Sequence, residues 1–318
     1  MQEKTVRVCH FHKLKIWLNG DIYPCCRSPH YTKLGNIFDE DIYEKIENSD
    51  VICECQMFKS VAKTPQDKIN LDYIHFETSN VCQANCVCCP QPKEPLNYEK
   101  ELLQKIYEMI ERYRPKHIIA IGGEILVQDE AFNKLFDLHK KYPEMKIQTI
   151  TNLCVGEERL KQAEEIFDAM TISMLGFNKH TYKSEMGLDF DRVINNFEYL
   201  YKNKKVQLSP KYLAMPTNLF EIIPFFNWAI DLDVEKIYLH CIIELEHIAN
   251  FNTPYLYWIK TFEKVEKQIK DIFEKNQKLI ISKDRHFISI HKNLAEKLNI
   301  TQKYIDGLNL SKAVKITV

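Results

Sequence analysis

Residues 73–90 read YIHFETSNVCQANCVCCP, a strand-like start that leads directly into a group of cysteines. The spacing is C-x3-C-x2-C, carried by Cys82, Cys86 and Cys89. Three thiolates in one short loop can hold three irons of a 4Fe–4S cluster and leave the fourth iron open to a small molecule. Cys88 lies beside Cys89, so proximity alone leaves either as the third ligand, and the spacing favours Cys89. A zinc site usually needs a second paired motif, and none lies nearby in the sequence.

The chain around this loop alternates between strand-like and helix-like segments. Apolar runs of strand length recur six times, and segments with the 3.6-residue periodicity of helices separate them. Such alternation predicts a parallel sheet with helical crossovers. Six units predict an α/β fold, a partial (β/α)6 TIM-like barrel with its chemistry at the C-terminal ends of the strands. The predicted strands are 73–76, 117–121, 146–150, 171–174, 206–213 and 236–243, and the predicted helices are 98–113, 130–142, 157–170, 191–203, 219–232 and a longer one over 254–277 that a strand over 279–282 follows.

The overall composition is that of an ordinary globular protein. Hydrophobic residues make up 45% and charged residues 27% of the 318, which excludes disorder and coiled coil as descriptions of the whole chain. A net charge of −1 provides no field that gathers nucleic acid or an anionic membrane non-specifically. No apolar run reaches the length of a membrane span, and residues 1–7 lack a signal-peptide core, so we expect a cytoplasmic protein. Because the cytoplasm keeps thiols reduced, the clustering of the eleven cysteines points to metal binding or catalysis.

Short polar motifs also follow the next predicted strands. Gly122-Gly123-Glu124 ends the strand over 117–121, and Thr151-Asn152 ends the strand over 146–150. Each motif alone is more often a turn than a site. Their order behind the cysteine loop is what makes them candidates for a binding site at one edge of the sheet.

These motifs together resemble the radical S-adenosylmethionine (radical SAM) superfamily over roughly residues 71–245. The resemblance implies that Cys82, Cys86 and Cys89 hold a site-differentiated 4Fe–4S cluster whose open iron chelates the methionine amino and carboxylate groups of S-adenosylmethionine (AdoMet). Reductive cleavage then gives a 5′-deoxyadenosyl radical. The implied activity is hydrogen-atom abstraction from a peptide or sugar-type substrate, leading to oxidation, cross-linking or epimerisation. The implied electron donor is a low-potential protein such as flavodoxin or ferredoxin.

The resemblance also implies which residues contact AdoMet. Gly122, Gly123 and Glu124 correspond to the GGE motif that meets the amino group, since paired glycines let a backbone approach a ligand closely and a carboxylate accepts bonds from an ammonium. Thr151 and Asn152 resemble the TN segment at the fourth strand.

Ser173 and Gly176 resemble the S-x-x-G stretch at the fifth strand, which touches the ribose or the carboxylate. Several positions depart from the family pattern and put individual AdoMet contacts in doubt; they are Cys88, Ile125, Leu175 and Met186.

The N-terminal cysteines resemble the auxiliary-cluster motif of SPASM and Twitch domains. Cys9, Gly20 and Cys25 have the spacing of C-x(9–15)-G-x4-C, and an Asn-Gly hairpin turn is expected between the two cysteines. The implied ligands are Cys9, Cys25, Cys53 and Cys55, with Cys26 as a competitor of Cys25. A zinc site that staples a small domain is the alternative. The expected domains are an auxiliary iron–sulfur domain over 1–65, placed unusually before the barrel, a radical SAM core over 71–250 and a helical extension over 251–318.

Two cysteines lie outside these groups. Cys154 follows Thr151-Asn152, and Cys241 lies near the end of the sixth strand. Radical epimerases that resemble this chain use such a cysteine as a hydrogen-atom donor, whereas most free cysteines are buried and inert. Two other classes of protein remain possible from the sequence: a zinc-stabilised cysteine-rich binding protein, and an iron–sulfur electron carrier without radical chemistry.

Overall fold

A computed structural model describes residues 13–24, 33–48, 71–94, 96, 98–215, 217–241, 268, 271 and 280–283. The chain divides into two compact units. The first comprises 1–83, 91–151 and 158–169, and the second comprises 84–90, 152–157 and 170–318. The N-terminal candidate ligands Cys9, Cys25, Cys26, Cys53 and Cys55 lie outside the described residues.

Strands and helices alternate along the described chain as predicted. Up to residue 166 the elements are β1 (Lys13–Ile16), β2 (Asp21–Tyr23), β3 (Gly35–Asn36), α1 (Ile42–Glu47), β4 (Tyr73–Glu77), α2 (Glu99–Tyr113), β5 (His117–Ile121), a 3₁₀ turn (Ile125–Val127), α3 (Asp129–Lys141), β6 (Lys146–Thr151) and α4 (Glu157–Ile166). From residue 169 they are β7 (Ala169–Met174), α5 (Lys179–Met186), α6 (Phe190–Asn203), β8 (Gln207–Ala214), a 3₁₀ turn (Leu219–Glu221), α7 (Ile222–Asp231), β9 (Lys236–Cys241) and β10 (Ile280–Lys283).

The sheet of the first unit has the strand order β3-β2-β1-β4-β5-β6, and β1, β4, β5 and β6 run parallel. Buried residues alternate along β5 and β6, as expected for a strand whose successive side chains point to opposite faces of a sheet. Ile74, Ile118 and Ile147 occupy one row of one face and have no exposed surface. The apolar side of α2, which includes Ile106 and Ile110, is equally buried.

The predicted Asn-Gly hairpin is confirmed. β1 and β2 pair antiparallel, and Gly20 adopts a positive φ of 83° in the turn between them. The sequence did not predict that β1 also pairs in parallel with β4, residue Lys15 opposite His75. The hairpin therefore extends the sheet of the first unit beyond β4.

A buried ion pair fastens this hairpin to β4. Lys15 Nζ lies 2.9 Å from Glu77 Oε1, and the side chains are only 3% and 9% exposed. The backbone N–H of Leu18 donates to the other carboxylate oxygen of Glu77 at 3.1 Å. Burial and the neighbouring Lys15 lower the pKa of His75 to about 3, so the imidazole is neutral at physiological pH.

The second unit contains the strand order β7-β8-β9-β10, with β9 parallel to both β8 and β10. An aromatic core supports it: the Phe177 ring lies 5.7 Å from Phe225 and 5.3 Å from Trp228, and the Trp228 ring lies 4.8 Å from Phe197. Pro224 does not break α7, because it lies in the first turn, where a helix N–H has no intrahelical partner.

The structure differs from the sequence predictions at two helices and confirms one further strand. The helix predicted over 157–170 ends at Ile166, because the chain already enters β7 at Ala169. Helix α5 was not predicted. The strand predicted over 279–282 is β10, which adds a further parallel strand beside β9, whereas most of the helix predicted over 254–277 lies outside the described residues. Within the described part of the chain, no helix combines the length and the apolar character needed to cross a membrane.

Candidate functional site

The cysteine loop follows β4 directly, at the carboxyl end of the strand. None of its four cysteines forms a disulfide; Cys82 and Cys89 are exposed, and Cys86 is half-buried. No three His, Cys, Asp or Glu side chains within the described ranges are already gathered to hold a metal ion. Cluster binding commonly orders its own ligands. Three cysteine thiols at this spacing fit the donor set of an iron–sulfur cluster with one open iron.

The environments of Cys88 and Cys89 separate the two candidates for the third ligand. The Cys88 thiol is half-buried, and burial together with the adjacent Cys89 raises its pKa to about 11. The thiolate is the metal-binding form, and burial makes that form of Cys88 less favourable. Cys89 is exposed, and its N–H donates to the Cys86 carbonyl at 3.2 Å in a tight turn. Cys89 remains the predicted third ligand on the basis of the C-x3-C-x2-C spacing.

The glycine pair after β5 lies directly against the start of the cysteine loop. Gly122 and Gly123 have φ values of 100° and 51°, and a Cβ on Gly123 would lie 2.1 Å from the Val81 carbonyl oxygen. A Cβ on Gly122 would lie 2.8 Å from the carbonyl oxygen of Ser79. The N–H of Glu124 donates to the Val81 carbonyl at 2.9 Å. The sequence interpretation linked these glycines to a ligand; here their close approach is to the backbone that precedes Cys82.

The carboxylate of Glu124 joins two of the predicted motifs. Glu124 is 1% exposed, and its Oε1 accepts hydrogen bonds from Thr151 Oγ1 at 2.7 Å and from the Leu126 N–H at 3.1 Å. Thr151 is the last residue of β6. The GGE turn and the first residue of the TN segment are therefore in direct contact at the carboxyl ends of neighbouring strands β5 and β6.

The strand numbers assigned to two motifs from the sequence were wrong by one. Counted from β4, Thr151 ends the third parallel strand rather than the fourth, and Ser173 lies in β7, the fourth rather than the fifth. Ser173 is half-buried.

The loop after β7 is held by a residue that the sequence did not reveal. Gly176 has a φ of 131°, and a Cβ there would lie 3.1 Å from Glu221 Oε2. The Glu221 carboxylate accepts hydrogen bonds from the Phe177 N–H and from Thr181 Oγ1, both at 2.5 Å, and also from the Asn178 side chain. Glu221 thus fixes the loop that carries Gly176 to the first turn of α5.

Helix α5 also supports the cysteine loop. Within the second unit, Asn85 N–H donates to the Met186 carbonyl at 2.9 Å, and Val87 N–H donates to the Glu185 carbonyl at 3.0 Å. Burial raises the pKa of Glu185, and its Oε2 atom is buried without a partner among the described residues. The N-cap residue Asn178 and the C-terminal Gly187 were the sequence signals that could have revealed this helix.

The other predicted residues occupy different surroundings. The Asn152 side chain accepts from the Cys154 N–H at 2.9 Å, and the half-buried Cys154 lies in a segment that the Asn196 amide holds through two backbone carbonyls. Cys241 is paired with Ala214 in the register of β8 and β9. It lies two positions after the buried Leu239 in β9. Its side chain lies outside the described part of the structure.

Comparison with known proteins identifies the fold and the family. The family model described as "Radical SAM superfamily" matches residues 76–228, which include the cysteine loop and the motifs after β5, β6 and β7. Residues 76–228, just under half of the chain, match the radical SAM superfamily. The radical SAM superfamily is a family of enzymes, and a match to it implies a 4Fe–4S cluster and AdoMet as cofactors. The resemblance in the sequence predicted the same two cofactors.

Solved structures show the same radical SAM fold. Streptococcus suis SuiB bound to S-adenosylmethionine matches with a TM-score of 0.52 and 13% identity over 67% of this chain and 50% of SuiB. SuiB bound to its precursor peptide SuiA gives a TM-score of 0.54 at 13% identity over 70% and 51% of the two chains. The histidine-tagged anSMEcpe with bound AdoMet gives 0.50 at 20% identity over 66% and 63%.

These matches confirm the predicted α/β fold class, the partial barrel of the radical SAM type. The radical SAM chain spans about half the length of SuiB. No curated protein matched the sequence.

Proposed function

We propose that this radical SAM enzyme cleaves AdoMet reductively and uses the resulting 5′-deoxyadenosyl radical to abstract a hydrogen atom from a peptide substrate. The observation that carries this proposal is the junction of motifs in the first unit. The backbone before Cys82 lies against the Gly122–Gly123 pair, and Glu124 in the same turn binds Thr151. Three motifs separated by many residues thus meet at the carboxyl ends of β4, β5 and β6, where parallel α/β folds bind their ligands.

In this proposal Cys82, Cys86 and Cys89 hold the 4Fe–4S cluster. When bound, the cluster supplies the electron for AdoMet cleavage and an open iron for the methionine group. The protein's own part is to position and shield the reactants. Cys88, with its raised thiol pKa, stays protonated and leaves the three ligand positions to its neighbours.

The AdoMet contacts are proposed for six residues. The positive φ values of Gly122 and Gly123 turn the chain sharply at the end of β5. Glu124 is held by Thr151 and by the Leu126 N–H, so its carboxylate is fixed before any ligand arrives. A group that is already fixed loses little conformational entropy when a ligand binds. The fixed carboxylate of Glu124 therefore favours one defined orientation of AdoMet. The proposed contacts are Gly122, Gly123, Glu124, Thr151, Asn152 and Ser173.

A peptide is the preferred substrate class, and a sugar derivative is the alternative. Support for a peptide comes from SuiB, which was crystallised with the precursor peptide SuiA. A low-potential flavodoxin or ferredoxin is the proposed electron donor. We also propose a cytoplasmic location, because a reducing compartment keeps clustered cysteines as thiols.

An auxiliary iron–sulfur cluster in the N-terminal region completes the proposal. Its ligands would be Cys9, Cys25, Cys53 and Cys55, with zinc as the alternative metal. The β1–β2 hairpin between Cys9 and Cys25 supports this, because its turn glycine Gly20 has the positive φ that the motif's glycine position requires. We retain 1–65, 71–250 and 251–318 as the proposed domains, although β1 shares a sheet with β4.

The reaction outcome depends on the fate of the substrate radical after hydrogen abstraction. Electron transfer to an auxiliary cluster would give dehydrogenation or cross-linking. Return of a hydrogen atom from Cys154 or Cys241 would give epimerisation. Both outcomes stay open in this proposal, and product analysis with the substrate would distinguish them.

Metal analysis after anaerobic reconstitution tests the proposal. We expect about eight irons per chain, falling to about four in the Cys82→Ala/Cys86→Ala/Cys89→Ala variant, because each cubane holds four. About four irons per chain in the wild type and none in the triple variant, with zinc retained in both, would show that the N-terminal site holds structural zinc and not an auxiliary cluster. Iron content unaffected by the triple substitution would contradict the proposed cluster ligands.

A further inference from the structure

The junction beneath the cysteine loop contains a buried side chain that no motif includes. Gln128 follows the 3₁₀ turn after the glycine pair, is 8% exposed, and is the residue that precedes α3. Its amide oxygen accepts from Thr78 Oγ1 at 2.6 Å. Its amide nitrogen donates to the Gly122 carbonyl at 2.8 Å and to the Val81 carbonyl at 3.1 Å. Both nitrogen partners are acceptors only, so the amide can take just one orientation.

The three partners belong to three different parts of the site. Thr78 is the first residue after β4, Val81 directly precedes Cys82, and Gly122 is the first glycine of the pair after β5. The Val81 carbonyl receives a second hydrogen bond from the Glu124 N–H at 2.9 Å. One amide group therefore connects the end of β4, the residue before the first proposed cluster ligand and the turn proposed to meet AdoMet.

We infer that Gln128 is a positioning residue that sets the placement of Cys82 relative to the Gly122–Glu124 turn. This inference rests on the proposed function, because the two segments it joins are those assigned to the cluster and to AdoMet. In the proposed function, AdoMet binds both the iron held by Cys82 and the backbone of the Gly122–Glu124 turn. Its affinity therefore depends on the distance between these two segments. A misplacement of about 1 Å between binding groups is enough to reduce function strongly.

The geometry also indicates which property of Gln128 matters. Glutamate has the same shape but presents a carboxylate where the two carbonyls need a donor. Gln128→Glu would thus set an anion against the Val81 and Gly122 oxygens and force the segments apart. A protonated glutamate has one O–H donor and can restore one of the two bonds. The defect should therefore lessen as the pH falls.

The test uses the full chain, reconstituted anaerobically, as wild type, Gln128→Glu, Gln128→Ala and the control Gln162→Ala, an exposed glutamine of α4. We would measure iron per chain, the electron paramagnetic resonance spectrum of the reduced cluster with and without AdoMet, and the AdoMet dissociation constant. Both Gln128 variants should keep wild-type iron and an unchanged spectrum without AdoMet. Their AdoMet affinity should fall about tenfold or more, the loss expected when a buried hydrogen bond loses its donor.

The pH dependence separates positioning from a general loss of folding. The ratio of the Gln128→Glu and wild-type dissociation constants should fall between pH 8 and pH 6, whereas the ratio for Gln128→Ala should stay constant. AdoMet affinities of both variants within about twofold of the wild type would overturn the inference, as would loss of affinity only in proportion to lost iron. A wild-type chain that binds no AdoMet would instead refute the proposed function itself.

Discussion

Replacing Gly123 with alanine should open the junction between the GGE turn and the cysteine loop. The added Cβ would lie 2.1 Å from the Val81 carbonyl oxygen, and contacts below 3.0 Å are essentially never seen. The neighbouring atom is backbone, so no side-chain rotation can relieve the contact. The loop before Cys82 must therefore move away by nearly 1 Å, the difference between those two distances.

The energetic cost has two sources, the backbone angle and the bonds that such a shift breaks. Gly123 has a φ of 51°, a left-handed conformation that costs an alanine about 1–2 kcal/mol. The shift also breaks the two hydrogen bonds to the Val81 carbonyl, from the Glu124 N–H and the Gln128 amide. Each such bond contributes about 0.5–1.5 kcal/mol. We expect a loss of about 2–5 kcal/mol in the free energy of unfolding of the first unit.

Gly156→Ala is the matched control, because a Cβ at Gly156 would meet no atom within 4 Å. It should be neutral, or stabilising by up to about 1 kcal/mol through the unfolded chain. Urea unfolding followed by circular dichroism would compare both variants with the wild type, and iron analysis would report the effect on the loop. An unfolding free energy for Gly123→Ala within about 0.5 kcal/mol of the wild type, together with full iron content, would refute the reasoning.

Three further predictions concern single side chains. Cys89→Ser should lose the 4Fe–4S cluster of the cysteine loop, whereas Cys88→Ser should keep it. Iron content and 5′-deoxyadenosine formation would measure this, and equal losses in the two variants would contradict Cys89 as the third ligand. Lys15→Met should lower the unfolding free energy by about 3–5 kcal/mol, because it leaves the Glu77 carboxylate buried without its partner. Adding Glu77→Gln should recover much of that loss, and a double variant as unstable as the single one would contradict the ion-pair argument. The pKa of His75 is lowered to about 3, so between pH 6.5 and 3 the unfolded chain binds a proton that the folded chain does not. The free energy of unfolding should thus fall by up to about 1.4 kcal/mol for each unit of decreasing pH. In urea unfolding, His75→Gln should remove this contribution to the pH dependence of the unfolding free energy. An unchanged pH dependence in this variant would contradict a neutral, buried imidazole.

The parts of the fold predicted correctly are those encoded by local patterns. The Asn19-Gly20 turn and the alternation of apolar strands with amphipathic helices depend on residues close in sequence, and they appear as expected. The parallel pairing of β1 with β4 was missed, because it joins residues sixty positions apart. No local pattern reports a contact of that range.

Helix α5 was missed for a related reason. Its eight residues, KHTYKSEM, have no sustained apolar face. Its stability comes from partners distant in sequence: Glu221 at its first turn, and the cysteine loop at its last. A tertiary environment of this kind overrides weak local propensity.

The candidate site divides in the same way. The motifs near Cys82, Gly123 and Thr151 were visible as short patterns, and the structure brings the segments that carry them together in the first unit. Gln128 and Glu221, which hold these segments, belong to no recognisable pattern. Their importance follows only from which distant backbone groups they bind.

The central claim is that Cys82, Cys86 and Cys89 support reductive cleavage of AdoMet. The most direct measurement is 5′-deoxyadenosine formed from AdoMet by the anaerobically reconstituted, dithionite-reduced protein, compared with the Cys82→Ala/Cys86→Ala/Cys89→Ala variant. We predict that the wild type forms 5′-deoxyadenosine and that the triple variant forms none, even if it keeps iron at an auxiliary site. A wild type that binds iron yet forms no 5′-deoxyadenosine, or a triple variant as active as the wild type, would contradict the account.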